Sequence, residues 1–314
     1  MKRSKDRRTE TEGLCLDPDQ IPAYFWHIAE SFRFVVIRVS ETPVRVSPLK
    51  GTPVLSFLRR GYDRKSLIAL GFLMVLYVAI GVVWNDLLRQ NLPVVNGFLI
   101  AIWITMNALL CWDVRPSQDV ALAIVALAGG WLFESWGTHT QLWWYFTGEK
   151  PPLWILPAWP VAALATARIA YALEAALAQR QMNFVIPYCL LMAAFAGSMI
   201  RFLWPSVETT SSQVAIVWIA GVIATGRAPR RDVWLFLAGS ALGIFLEYWG
   251  TSRNCWTYYT LEIPPPVTVA AHGFAQIVYA RVLSGLERGL QGLGFAWPIR
   301  AREFQTRSSG DGMA

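Results

Sequence analysis

Charge is scarce in this chain. Asp, Glu, Lys and Arg make up 16% of its 314 residues, against roughly 25% in a soluble domain, and the deficit is concentrated after residue 65. The four cysteines (Cys15, Cys111, Cys189, Cys255) stand singly, so neither a disulfide frame nor a CxxC metal pair is expected, and we read them as buried free thiols. Three dispersed histidines cannot build the clusters of a di-iron desaturase or hydroxylase. No GxSxG elbow, GxxxxGK(S/T) loop, GxGxxG turn or HExxH helix occurs. Asp86 in WNDLLRQN lacks the further aspartates of a Mg-diphosphate site, and no lysine lies between 66 and 149 to carry retinal. No metal or other cofactor is therefore expected. The first 20 residues are polar and charged, without the apolar core of a secretory signal.

What is present is apolar: 54% hydrophobic residues and 16 Trp. After residue 65, runs of about 17–21 apolar residues follow one another, each able to cross a hydrocarbon core of about 30 Å at 1.5 Å per residue. These runs place spans at 66–84, 92–112, 120–136, 153–173, 184–204, 211–226, 233–249 and 263–283, the sixth being the shortest. The expected fold is an all-α polytopic membrane bundle of about eight helices. Residues 1–65 form a basic extension in which IPAYFWHIAESFRFVVIRV reads either as an interfacial amphipathic helix or as a loose arm. A first four-helix unit at 66–175, a linker at 176–183, a second unit at 184–283 and a tail at 284–314 follow.

The net charge of +7 invites a nucleic-acid reading, but its placement argues for topology instead. Thirteen Lys/Arg precede residue 66, and others fall in the 227–231 loop and the tail, whereas the alternate loops hold few. This is the positive-inside pattern, with both termini in the cytoplasm. The excess charge also suits anionic lipid headgroups. A bacterial inner membrane is the expected location.

The chain also repeats itself. FESWGTHTQLWWYFT (133–147) aligns without gaps on LEYWGTSRNCWTYYT (246–260), 113 positions apart, with seven identities. The same register pairs Pro116 with Pro229, Asp119 with Asp232, Gly130 with Gly243 and Arg168 with Arg281. An even number of spans per copy gives parallel repeats, related by an axis along the membrane normal.

Charge inside hydrocarbon calls for a partner or a role. Asp119 and Asp232 open the third helix of each unit, and Arg168 and Arg281 come to a similar depth on the fourth, so structural Asp119–Arg168 and Asp232–Arg281 pairs are expected. Glu134 and Glu247 sit at the other end of the third helices with no Lys or Arg at matching depth, except Arg253 in the second copy. They read as unpaired acids among indoles, or as caps of the WGT backbone at the membrane boundary. Trp136, Trp143, Tyr145, Trp249, Trp256 and Tyr258 crowd the same segments, as an interfacial belt or as a substrate wall. His272 takes the place of Trp159, which makes Glu247 and His272 a candidate proton-handling pair.

At ESWGTHTQLWWYFTGEKPPLWILPAWP the chain resembles the bacterioruberin-type hydratase family of bacterial carotenoid-biosynthesis membrane proteins. Glu134, Gly137, Thr140, Tyr145, Phe146, Pro157 and Trp159 carry the likeness, over about 30 residues. The second copy at Glu247 departs from that outline, and the PEE motif of the related lycopene cyclases is absent. The resemblance implies a cofactor-independent hydratase or cyclase (a lyase) acting on an isoprenoid or another apolar lipid. Such chemistry starts by protonating a C=C bond, with aromatic faces beside the cation. A transporter or channel built from parallel repeats, and a membrane assembly or scaffold protein, remain the alternatives.

Overall fold

The computed structural model describes residues 61–91, 97–177, 183–226 and 228–293. Helix dominates: α1 (Arg64–Val83), α2 (Asn85–Asn91), α3 (Gly97–Cys111), α4 (Pro116–His139), α5 (Ala158–Ala176), α6 (Val185–Leu203), α7 (Thr210–Ala224), α8 (Pro229–Ser252) and α9 (Pro266–Gly292), with strands β1 (Trp143–Tyr145) and β2 (Trp256–Tyr258). Single 3-10 turns precede α5 and follow α6. Five stretches are long and apolar enough to cross a membrane: Arg64–Val83, Pro116–His139, Leu153–Ala176, Val185–Ser206 and Pro229–Ser252. The helices at the expected second and sixth spans, α3 and α7, are shorter, with 15 residues each. Helix α9, at the expected eighth span, continues past 283 to Gly292 with Gly285 and Gly289 inside it, and is not one of the five. Most of the basic extension and of the tail lies outside the described residues.

Local sequence sets the helix ends. Asp63 caps α1, its carboxylate accepting from the Lys65 and Ser66 amides while Ser66 Oγ accepts from the Asp63 amide, a reciprocal capping box. Both α4 and α8 begin on proline, whose missing N–H costs nothing in a first helical turn. Asp119 and Asp232 stand in those same turns, where negative charge meets the positive end of the helix dipole. Arg168 Nη2 lies 2.5 Å from Asp119 Oδ2, and Arg281 Nη2 lies 2.6 Å from Asp232 Oδ2. Both expected ion pairs are formed. Arg168 also donates to the Trp112 carbonyl, and Arg281 to the Tyr188 hydroxyl.

Elements recur 113 positions apart: α3 with α7, α4 with α8, and β1 with β2 share their bounds in that register. After α4 and α8 the chain turns through left-handed Gln141 and Asn254, then again through Gly148 and Leu261. The strands pair antiparallel, Trp143 opposite Tyr258, Trp144 opposite Thr257 and Tyr145 opposite Trp256. Amides of Phe146 and Tyr259 extend the ribbon to the carbonyls of Cys255 and Leu142. Each of these contacts has its counterpart under exchange of the two strands, so a half-turn through the Trp144–Thr257 pair maps the ribbon onto itself.

Helices α4, α5, α8 and α9 pack against one another beneath the ribbon, with α3 against α5 and α6 against α8 and α9. The core lies among these central helices, with Ala163, Met192, Leu203, Ile277 and Tyr279 almost fully buried. Apolar side chains turned outward, such as Phe72, Val75, Val82 and Val217, suit lipid contact. Of the three described thiols only Cys111 is buried, while Cys189 is exposed and Cys255 lies between. The expectation of uniformly buried thiols fails because an apolar helix has an outer as well as an inner face.

Candidate functional site

Helices α4 and α8 each bring a glutamate to the end nearest the ribbon, and both carboxyls are buried. One turn before each stands a glycine: a Cβ on Gly130 would fall within the Trp159 ring, and one on Gly243 would press on His272. One turn beyond Glu134, Thr138 donates to its backbone carbonyl at 2.6 Å, and Thr251 does the same for Glu247 at 2.6 Å. The ribbon then folds back and lays its rings over the carboxyls.

In the first centre, Glu134 Oε2 accepts from Trp143 Nε1 at 3.0 Å and from Tyr145 Oη at 2.7 Å, and Oε1 accepts from Trp159 Nε1 at 3.2 Å. In the second, Glu247 Oε2 accepts from Trp256 Nε1 at 3.1 Å and from Tyr258 Oη at 2.8 Å. Its Oε1 lies 2.8 Å from His272 Nε2. The two centres are thus one arrangement made twice, with a single exchange of indole for imidazole. They also meet: Trp159 and His272 stack, centroids 5.5 Å apart and planes 15° from parallel. Trp143 packs on Tyr258, and its counterpart Trp256 on Tyr145.

Neither carboxyl is unpartnered, which corrects the picture of free acids among indoles, and neither bonds the WGT backbone. Ribbon and fourth helix supply the partners, a tertiary effect that linear spacing does not reveal. Burial pushes the Tyr145 and Tyr258 hydroxyls well above the ordinary phenol range, so both remain donors. An indole N–H only donates, so Trp159 fixes the hydrogen-bond direction at Glu134. An imidazole nitrogen donates or accepts according to its protonation. Which atom donates between His272 and Glu247 follows the imidazole's tautomer.

Trp136 and Trp249 belong elsewhere. Trp136 donates to Ser212 Oγ at 3.2 Å and meets Trp143 edge-on. The Arg253 guanidinium sits over the Trp249 ring, not beside Glu247. Trp159 was legible as the counterpart of His272 and as part of the motif that carries the resemblance; that it reaches Glu134 needed the fold.

Two hollows adjoin the helices. One, of about 110 Å³, lies at the other end of the central bundle and is lined by Asp119, Arg168, Glu174, Arg231, Ser284 and Glu287, among others. The second is an open apolar groove of about 560 Å³ along α7, walled by Val214, Val217 and Trp218. Neither is lined by Glu134, Glu247 or His272. Among the described residues no group of three or more His, Cys, Asp or Glu is placed to hold a metal ion.

The chain matches no family model, no curated protein and no solved structure. Fold and site alone define its class: an α-helical protein with several helices able to cross a membrane and two linked, buried carboxyl centres.

Proposed function

We propose that this protein is an integral membrane enzyme that protonates a C=C bond of an isoprenoid or similarly apolar lipid, leading to hydration or cyclisation without a cofactor. The reading takes α1 and α3 to α9 as eight spans of a bacterial inner membrane, in two parallel repeats about an axis along its normal, with both termini cytoplasmic. The observation that carries it is His272 in the place of Trp159. It converts one of two otherwise equivalent carboxyl centres into a pair that exchanges a proton.

The chemistry balances within that pair. The acid form of Glu247 gives its proton to one alkene carbon, and the neighbouring carbon becomes a tertiary cation facing the Trp256 and Tyr258 rings. In hydration, water adds to the cation and its surplus proton returns to the pair. In cyclisation, a second C=C closes the ring and a proton is lost to His272. Both routes end with the pair in its starting state. Substrate would reach it by parting the aromatic wall. Glu134, held by three donors, positions that wall, and the resemblance at residues 134–159 supports the substrate class.

Glu247→Gln keeps size and most hydrogen bonding and removes the acid. Expressed in a strain lacking the native gene, it should leave a specific apolar precursor accumulating in the lipid and pigment profile, at unchanged membrane abundance. General acids contribute on the order of 10²–10⁴ in rate. Glu134→Gln should have the weaker effect. Full turnover in both variants would overturn the proposal.

A second reading, a transporter or channel, draws on the charged hollow at the other end of the same bundle. An unchanged lipid profile in the deletion strain would favour it.

A further inference from the structure

One face of α9 carries His272, Gln276, Tyr279, Leu283 and Glu287, at the 4-3-4-4 spacing that keeps residues on a single helix face. The corresponding face of α5 reads Trp159, Ala163, Thr166, Ala170 and Glu174. One copy therefore carries a mostly polar stripe where the other has mainly apolar and small residues. The stripe is also deeply buried: Gln276 is 4% exposed, Tyr279 1% and Glu287 9%. The Tyr279 hydroxyl has no hydrogen-bond partner, and neither does that of its counterpart Thr166. A buried hydroxyl left unpaired costs about 1–3 kcal/mol, so its presence in the core asks for a role.

The stripe has two ends. At one stands the His272–Glu247 pair. At the other, Leu283, Ser284 and Glu287 line the hollow of about 110 Å³, which has room for several water molecules. Along the helix, Tyr279 lies about 10 Å from His272 and Glu287 a further 12 Å away. Thr166 and Tyr279 do not line the hollow; Tyr279 lies one helical turn beyond Leu283, which does.

We propose that this stripe is a proton path, loading the His272–Glu247 pair from the face of the protein that carries the hollow. Glu287 takes up a proton there. Water entering from the hollow carries it past Leu283 to Tyr279, which receives it on its oxygen lone pair as it releases its own, through water beside Gln276, towards His272. The imidazole gains a proton at Nδ1 and becomes an imidazolium that shares its Nε2 proton with Glu247 Oε1. No net charge stays in the bundle, and no co-reactant besides water is needed. At the receiving end the titratable neighbours are Glu247 and, through Trp159 and Tyr258, Glu134. At the loading end they are Asp119 on α4, Arg168, Tyr171 and Glu174 on α5, and Arg231 on α8. Tyr279 itself is packed by Gly129, Phe133 and Trp159, none of them charged. The inference rests on the proposed function only in treating the pair as proton-exchanging.

The stack of Trp159 on His272 supplies a reporter, because an imidazolium quenches an indole against it. The full chain would be placed in vesicles of phosphatidylethanolamine and phosphatidylglycerol in one orientation, and pH stepped on one face at a time. The indole signal would be taken as wild type minus His272→Gln. A step on the hollow's face should quench rapidly, and a step on the ribbon's face far more slowly. Tyr279→Phe retains the ring and removes the hydroxyl, and should slow the first response on the order of a hundredfold at unchanged amplitude. If that variant does not fold, Gln276→Leu tests the same stripe. Equal rates in variant and wild type, a faster response from the ribbon's face, or no response from either would overturn the path. A sided, Tyr279-dependent response without any lipid product would support the path and overturn only the enzyme reading.

Discussion

The two halves share the bounds of their second and third helices, the ribbon and the buried glutamates, yet differ along the contact between third and fourth helices. In the second half Gly239 meets Gly273 backbone to backbone: a Cβ on Gly239 would stand 2.8 Å from the Gly273 Cα. The first half has Ala126 and Pro160 at those positions, so α4 and α5 cannot approach in the same way. The closer pair is also the one whose fourth helix carries His272, Gln276 and Tyr279. Polar side chains survive in an apolar bundle where close backbone packing excludes competing lipid and holds them in register. One copy keeps the architecture while the other departs from it.

Substitutions can test each part of that contrast. Arg281→Ala should have the largest effect, about 3–5 kcal/mol, because it strands a buried Asp232. Arg168→Ala should cost less, since Asp119 is more open and still accepts from the Arg115 amide at 2.8 Å. Thermal unfolding in detergent would rank them, and Asp232→Asn with Arg281→Gln should recover part of the loss. Equal losses at the two arginines would remove the distinction.

Gly239→Ala writes the first half's residue into the second and should destabilise by about 1–3 kcal/mol through overpacking. A neutral result would mean that the closer helix contact is dispensable. At the phenols, the halves should behave alike. Tyr145 and Tyr258 ionise only well above the ordinary phenol value of 10.0 when folded. Below that pH their ionisation does not affect stability. Above it the unfolded chain ionises first, and stability falls by up to about 1.4 kcal/mol per pH unit for each. Tyr145→Phe and Tyr258→Phe should flatten the alkaline limb equally; a one-sided effect would extend the asymmetry to the ribbon. The smallest change concerns Leu261, which is left-handed with φ 58° where the other half has Gly148. Leu261→Gly should stabilise by about 0.5–1 kcal/mol, the relief of that strain less the added freedom of the unfolded chain. A loss of stability would show that the Leu261 side chain has a contact worth more than the strain.

Sequence reading reached the helical architecture and the Asp–Arg pairs because both follow from one-dimensional spacing: apolar length for the spans, and matching depth on neighbouring helices for the charges. It located Glu134, Glu247 and His272 through the 113-residue register, but not their partners. Trp143 lies nine residues from Glu134 and Trp159 twenty-five, and only a chain that reverses at Gln141 and pairs across halves closes such distances. Trp136 and Trp249, equally prominent in the motif, point away from the carboxyls. A helix of 3.6 residues per turn sends Trp136 to another side than Glu134, a distinction that aromatic crowding alone conceals. The stripe on α9 was hidden for another reason: Gln276 and Tyr279 read as ordinary members of an apolar run until their burial is known.

The ribbon has a consequence for ancestry. Because it maps onto itself by a half-turn through Trp144 and Thr257, its two edges are self-complementary in the manner of an isologous dimer interface. A chain of one unit could form the same two-stranded ribbon with an identical partner, strand to strand, each carboxyl held by its own unit's rings and those rings packed on the twin's. In its hydrogen bonds the ribbon has the symmetry of a homodimer interface. Joining removes the one restriction a homodimer cannot escape, that both sides of the axis carry the same residue, and at Trp159 and His272 the two sides no longer do.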